Sequence, residues 1–508
     1  MLVYGDQVEL ADPRQRSDRI GVHLTRIAGM QPGIDRHSRL VGALIDAGQL
    51  LQGVADRLLP GEQALGAFVH GLAHCVLRSW DSGFGDIGEL PAIPRAVGRH
   101  RVELRVPEGF AFYSVYPEAY AISARRLSLS GPPRVIGIRS IGTTLGAMVA
   151  AALDAPPAIT VRPFGDPFQR HVSLPAEAIE PNAHYVIVDE GPGLSGSSFG
   201  AVADSLEARG VPLDRIAFIP GHANEPGPRA SDAHRLRWRR AQRVPADFGG
   251  RLLELVRSWA GDRLRAGDQL KFAGLGSIGE RKLEIARTLH AAQFTPEPVA
   301  LVHGFLIERL SPSSQHLPPD DKPIAQIARY IGARAELLPA ASLSGASIPQ
   351  LIEMTRRNVT LAFGESAAES LDLPDAGLLE GRVHRTCTDN RFERGNWLRG
   401  ADGKLIKTQA VDQGHNLIGC QDPAWDVAGA ITEFGLDRCE SETLVQLVER
   451  GGCDIDRELL GFYRIAYPAF RFGEATLAQT ADAGRYARIV SELLQHVCSG
   501  TPQESSVG

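Results

Sequence analysis

The sequence predicts a multidomain α/β protein, and three observations carry the prediction. Its 508 residues correspond to roughly three domains at about 150 residues each. In the first hundred positions apolar residues recur every three or four places, the period of a helix with one buried face. In the middle third, short Val/Ile runs alternate with Ala/Leu-rich stretches, the signature of a parallel sheet with crossover helices.

Composition removes other classes. At 43% hydrophobic and 22% charged residues the chain can bury a sizeable core, which excludes global disorder. Lys and Arg number 54 against 60 Asp and Glu, a net charge of −6, so wholesale polyanion binding is not expected. The six cysteines form no C-x-x-C pair and read as reduced thiols of a cytoplasmic protein. The segment following Met1 becomes charged too soon for a signal peptide, and no apolar run reaches the ~18 residues of a membrane span.

Residues 1–105 read as a mainly helical region, chiefly from Ser38–Gly48 and Gln63–Leu77. His70 and His74 stand four apart there, but no acidic third ligand accompanies them, so a packed helix surface is preferred over a metal site. Residues 86–94 read as a linker. Residues 106–228 hold the alternating pattern: Val135–Ile138, Leu145–Leu153, Ala158–Val161, Tyr185–Asp189, Phe199–Arg209 and Arg215–Ile219. Pro, Gly, Asn and Ser near 222–230 mark a boundary. The basic stretch Arg235–Arg243, with Trp238 inside it, reads as one solvated face of a strand or helix in preference to a nucleic-acid surface. Residues 229–500 are mixed α/β and then helical, and 501–508 form a polar tail.

The segment Val186-Ile-Val-Asp-Glu-Gly-Pro-Gly-Leu-Ser-Gly-Ser-Ser198 takes a strand through two acids and a glycine turn into a helix. Free N–H groups and the positive dipole end at such a helix start suit a phosphorylated ligand. Gly191-x-Gly193-x-x-Gly196 matches the dinucleotide pattern, but the next strand ends at Phe218-Ile-Pro-Gly-His222 without the required acid. A P-loop would need lysine where Ser197 stands. A nucleophile elbow would need one more glycine.

The acids are retained in a fourth comparison. An apolar strand, Asp189-Glu190, a short turn and Ser195-Gly196-Ser197-Ser198 resemble the ribose-phosphate signature of type I phosphoribosyltransferases, with a turn one residue longer. The resemblance implies that the acids hold the ribose hydroxyls while the loop amides cradle the 5′-phosphate. Upstream, Val135–Gly146 resembles the pyrophosphate loop of that family, placing Arg139, Ser140, Gly142, Thr143 and Thr144 at the phosphates. The polar segment Arg162–Val172 stands where these enzymes carry a mobile loop, with Arg162, Arg170 and His171 as cationic candidates. The implied reaction displaces pyrophosphate from C1 of phosphoribosyl pyrophosphate with Mg²⁺, and Asp189, Glu190 and Arg170 are its catalytic candidates. Tyr113, Tyr116 and Glu118 could form an acceptor pocket by stacking, but an aromatic core cluster is the preferred reading.

A second constellation, Val411-Asp412 followed by Asp422-Pro-Ala-Trp-Asp426, resembles the metal-binding segment of aminoglycoside phosphotransferases and choline-kinase-like enzymes. It implies a two-lobed, protein-kinase-like α+β domain with Mg²⁺ at Asp412 and Asn396, and with Asp422 and Asp426 anchoring the loop. That family expects His-x-Asp-x-x-x-x-Asn. Aligning Gly395-Asn396-Trp-Leu with its tail puts Arg391 where the proton-accepting Asp belongs, leaving Asp389 as the substitute. Lys271 is the candidate ATP-pairing lysine, with Glu280 or Glu284 as its partner, and Val299–Glu308 is the following hairpin. Gly274-x-Gly276-x-x-Gly279 keeps a dinucleotide alternative open.

The sequence thus predicts a phosphoribosyltransferase-like enzyme fused to an ATP-binding, kinase-like domain. Its partners are phosphoribosyl pyrophosphate, an unidentified acceptor and ATP; a second copy of the chain is a further candidate, and no membrane is involved. The alternatives are a small-molecule phosphotransferase with a phosphoribosyl-ligand sensor, or a catalytically degenerate nucleotide-binding scaffold.

Overall fold

The computed structural model describes residues 1–5, 8–94, 100–175, 178–341, 344–371, 373–411 and 416–498. Three helices come first: α1 (Pro13–Ala28), α2 (Ile34–Asp56) and α3 (Glu62–Asp81). Asp12 caps α1 by accepting from the Arg14 and Gln15 N–H groups, and Pro13 occupies its first turn, where no donor is lost. Strand β1 (Val8–Ala11) pairs antiparallel with β2 (Val102–Arg105), so the two ends of the helical region are tied together.

After α4 (Glu108–Phe112) and α5 (Pro117–Ala124) come β3 (Pro133–Ile138), α6 (Gly142–Ala152) and β4 (Ile159–Val161). A small hairpin, β5 (Phe164–Asp166) and β6 (Gln169–His171), precedes β7 (His184–Val188), α7 (Ser197–Glu207) and β8 (Ile216–Ile219). Helix α8 (Asp232–Arg240) and strand β9 (Gln242–Arg243) follow. The five-stranded sheet has the order β4-β3-β7-β8-β9 and is parallel throughout. Both faces are covered, which is why β7 reads as an unbroken apolar run. On one face Val135, Val186 and Val188 pack with Leu72, Tyr120 and Leu145, so the N-terminal helices share a core with the sheet. On the other, Ile136, Tyr185 and Ile187 pack with Phe199 and Trp238.

The basic stretch of the sequence forms α8 and β9, and most of its cations are spent locally. Arg237 pairs with Asp204 and Glu207, Arg239 pairs with Glu225, and Arg243 lies over the buried Trp238 ring.

Beyond α9 (Leu252–Ala260), strands β10 (Gln269–Phe272), β11 (Glu297–Val302) and β12 (Phe305–Arg309) form an antiparallel sheet of order β10-β12-β11. Helix α10 (Gly276–Ala291) packs on it. Antiparallel pairing removes the parallel crossover that a dinucleotide site needs, so that reading of Gly274–Gly279 is corrected. The glycines serve packing instead: a Cβ on Gly42 of α2 would meet the Gly276 Cα at 2.8 Å.

The remainder is mainly helical. It contains α11 (Ile324–Leu337), α12 (Ile348–Phe363), α13 (Glu365–Glu369) and α14 (Ala376–Glu380), then α15 (Pro423–Phe434), α16 (Arg438–Arg450), α17 (Arg457–Leu477) and α18 (Asp482–Cys498). Three short strands, β13 (Gln315–His316), β14 (Trp397–Arg399) and β15 (Leu405–Lys407), make a further sheet. Its core gathers around Trp397, Trp425, Tyr463 and Tyr467. No helix among the described residues is long and apolar enough to cross a membrane.

Candidate functional site

In the parallel sheet, β3 runs on to β4 on one side while β7 lies on the other. Chain direction across the sheet therefore reverses between β3 and β7, and a crevice opens at their carboxyl ends, the usual ligand position in such sheets. A cavity of about 410 Å³ lies there. Asp189 and Glu190, at the end of β7, line it together with Arg139 and Ser140 from the loop after β3 and Arg162 from the end of β4. Glu108 and His222 are among its other lining residues.

The two acids are partly buried and make no ion pair among the described residues. Burial pushes the Asp189 carboxyl up to about 7, against the Glu190 N–H and the charges of Arg162 and Arg170. Glu190 is pushed up to about 8 by burial and by its acidic neighbours Asp189 and Glu108. The backbone beneath them is fixed. The Tyr120 hydroxyl donates to the Asp189 carbonyl at 3.0 Å, and the Gly221 N–H donates to the Glu190 carbonyl at 3.0 Å.

The arginines are spoken for by an acid from another region. Arg162 makes a two-pronged pair with Asp56 at the end of α2, at 3.0 and 2.5 Å. Arg139 reaches the same carboxylate at 3.3 Å and Glu62 at 3.4 Å. Burial alone would raise the Asp56 carboxyl, but these guanidinium bonds outweigh it and hold the group below its ordinary value. Gly142 must be glycine, since a Cβ there would meet the Val188 carbonyl oxygen at 2.7 Å.

Other candidates lie apart from the cavity. Thr143 and Thr144 are buried in the first turn of α6, with Thr144 packed against Gly48 of α2. Gly196, in the left-handed region at φ 62°, caps α7. The Ser195 hydroxyl donates to that of Ser197 at 2.9 Å, and Ser197 donates to the Pro167 carbonyl at 2.8 Å. The turn of the β5–β6 hairpin thus takes up the loop hydroxyls, while Ser198 is half-buried in the first turn of α7. Arg170 sits on β6 and bonds the Pro163 carbonyl at 3.4 Å, so it reaches Asp189 by charge and not by contact. Tyr116 and Glu118 are buried, and Tyr113 is exposed, so the three do not form an acceptor pocket. His70 and His74 have Nε2 atoms 3.1 Å apart, and no third ligand joins them among the described residues.

The C-terminal candidates are placed differently from expectation. Lys271 pairs with Glu308 at 2.6 Å, not with Glu284 or Glu280, and Glu280 instead pairs with Arg39. The register explains it. Lys271 lies opposite Leu306, so Glu308, two residues along β12, falls on the same face within diagonal reach. Asp389 is fully buried, paired with the equally buried Lys407 at 3.2 Å, and accepts the Tyr330 hydroxyl. It cannot meet a substrate there, which corrects its role as a base. Asp426 accepts the Asp389 N–H at 2.9 Å, and Asp422 accepts the His384 N–H at 3.0 Å, so both acids anchor the 384–390 loop. Asn396 donates to Glu393 at 3.0 Å. Arg391, half-buried, lies 3.9 Å from Glu393. Asp412 lies outside the described residues.

Sequence reasoning missed Glu108 and His222, which line the cavity, and Asp56, which pairs with its arginines. His222 lies three residues beyond the end of β8, in the position where a dinucleotide site would carry its acid. Asp56 had no local signal, because its partners come from distant segments.

No family model matches the chain, and no curated protein is detectably similar to it in sequence. Among solved structures, about half of the chain resembles choline kinases. Choline kinase LicA from Streptococcus pneumoniae is 17% identical over 46% of this chain and 86% of its own, with a TM-score of 0.32. LicA in complex with AMP gives 16%, 46%, 84% and 0.32. A choline/ethanolamine kinase family protein from Mesorhizobium loti gives 15%, 47%, 85% and 0.30.

Proposed function

We propose that the cavity between β3 and β7 binds phosphoribosyl pyrophosphate and that the protein transfers its phosphoribosyl group to an acceptor. One observation carries this reading: an uncompensated carboxylate pair faces two arginines across a cavity at the switch point of a parallel sheet. Asp189 and Glu190 accept hydrogen bonds from the ribose 2′- and 3′-hydroxyls. Arg139 and Arg162 exchange Asp56 for the pyrophosphate, whose charge they neutralise as the bond to C1 breaks. The new bond forms between C1 and the acceptor, and pyrophosphate leaves with the electron pair. Unpaired carboxylates beside the site are compatible with the Mg²⁺ that such a ligand carries, and the ion would screen the departing charge.

The test is pyrophosphate release from phosphoribosyl pyrophosphate and Mg²⁺ across a panel of nucleobases, amines and carboxylates. Release that depends on one acceptor and disappears in the Asp189→Asn, Glu190→Gln variant supports the assignment. Release that survives in that variant rejects it.

A second reading places the activity in the C-terminal region as a small-molecule phosphotransferase, with the cavity as a sensor for the sugar phosphate. Anchoring of the 384–390 loop by Asp422 and Asp426 favours it. Arg391 at the aligned base position and the Lys407 lock on Asp389 weigh against it, since a guanidinium accepts no proton. ATP turnover with choline-like amino alcohols, insensitive to the Asp189 and Glu190 substitutions, would favour this second reading.

A further inference from the structure

Outside the cavity, three buried side chains from three regions converge. His37 comes from the first turns of α2, Glu118 from the first turn of α5, and His303 from the corner of the β11–β12 hairpin. All three are fully shielded from solvent. Glu118 Oε1 lies 2.8 Å from His37 Nε2 and 3.0 Å from His303 Nε2, and the three donor atoms all fall within 4.8 Å of one another.

Hydrogen bonding accounts for only part of the cluster: His37 Nε2 and Glu118 Oε1 are hydrogen-bonded at 2.8 Å. Both ring nitrogens of His303 and the Oε2 atom of Glu118 have no hydrogen-bond partner among the described residues. The 3.0 Å approach of His303 to the carboxylate is therefore a contact without a correctly aimed N–H. Buried polar atoms are rarely left unmet, and Glu118 Oε2 and His303 Nε2, both unmet in one cluster, point to a missing shared partner. From these observations we infer that His37, Glu118 and His303 form a buried structural site for a divalent transition-metal ion, with zinc the best match to the donors.

Two imidazole nitrogens and a carboxylate are a borderline-soft set suited to zinc. Glu118 and the two Nε2 atoms supply three ligands, and the carboxylate can bind through one oxygen or both. Donors around a tetrahedral ion with bonds of about 2.1 Å stand about 3.4 Å apart, so the contacts of Glu118 with His37 and His303 need to open by about 0.4–0.6 Å. The ion would satisfy Glu118 Oε2 and His303 Nε2 together, leaving only His303 Nδ1 unmet.

The surroundings orient the donors. His37 Nδ1 is hydrogen-bonded to Ser79 Oγ at 2.9 Å, which leaves Nε2 directed at the site. The Tyr116 hydroxyl donates to the His303 carbonyl at 2.9 Å, fixing the hairpin corner, where His303 has φ 42°. Phe84 packs on the His37 ring, and Tyr116 and Trp259 pack on that of His303. This enclosure leaves no position open to substrate, so the site is structural. It fastens the N-terminal helices, the parallel-sheet domain and the β10–β12 sheet to one ion.

The experiment is metal analysis of the full-length protein by mass spectrometry after exposure to zinc and desalting. About one zinc per chain is expected, as for a closed structural site, with near-total loss in His303→Gln and Glu118→Gln. Chelator should lower the unfolding midpoint of the wild type and leave that of folded His303→Gln unchanged. Should the variants fail to fold, cobalt added to the wild type must give the visible absorption of a four-coordinate ion. A wild-type chain that retains no zinc and shows no cobalt spectrum overturns the proposal, as does His303→Gln with undiminished zinc.

Discussion

Two pairs of acids, each singled out by a motif in the sequence, behave oppositely in the structure. Asp189 and Glu190 end a strand beside a cavity, with no ion pair, and burial pushes them up to about 7 and about 8. Asp389 and Asp426 lie in the core of the C-terminal region. There Lys407 pairs with Asp389, and Asp426 is spent on backbone N–H groups. Charge without compensation next to open space is a site waiting for a ligand; charge that is paired and enclosed holds architecture. Residue type alone does not separate the two, whereas the neighbours do.

The comparison can be broken first at its buried side. Lys407→Met removes the nearer of the two buried cations beside Asp389, leaving the Tyr330 hydroxyl and Arg334 at 3.8 Å, at an expected cost of about 3–5 kcal/mol, read by urea unfolding. If the cost is near zero, the C-terminal acids are not the structural pair described here. On the open side, Asp189→Asn with Glu190→Gln should reduce pyrophosphate release by at least about 100-fold while leaving the fold intact.

The same variant sharpens the contrast through pH. The folded-state values of the two acids lie above the ordinary carboxyl range of about 4, so the native state binds more protons than the unfolded chain between about pH 4 and about pH 8. Wild-type stability should therefore fall as pH rises through that window. The amide variant should lose less, melting at least about 2 °C higher than wild type at pH 8. An identical pH profile for the two proteins would mean the acids are not strained. The smallest effect concerns the clamp. Asp56→Asn releases Arg162 and Arg139 and should tighten binding of a pyrophosphate-bearing ligand by about 5-fold at low salt, since a partly exposed ion pair is worth only about 1 kcal/mol. Weaker binding would show that Asp56 positions the arginines and does not compete for them.

Much of the scaffold could be read from residues close together in the chain. Val135–Ile138 and Tyr185–Val188 gave the parallel strands, because a strand buried on both faces must be apolar throughout. The Val299–Glu308 hairpin was legible from its apolar runs. What depended on register or on distant segments was not. The Lys271–Glu308 pair follows from how β10 lies against β12, and the Asp56 clamp joins residues 83 and 106 positions apart. The His37–Glu118–His303 cluster had no signal at all, since no two of its members are near in sequence.

Titration calorimetry of the full chain with phosphoribosyl pyrophosphate and Mg²⁺ tests the central claim most directly. The account predicts saturable binding to the wild type, with proton release near pH 7 as the two acids ionise around the ribose, and no binding to the Asp189→Asn, Glu190→Gln variant. Equal binding by both proteins, or none by the wild type, would contradict it.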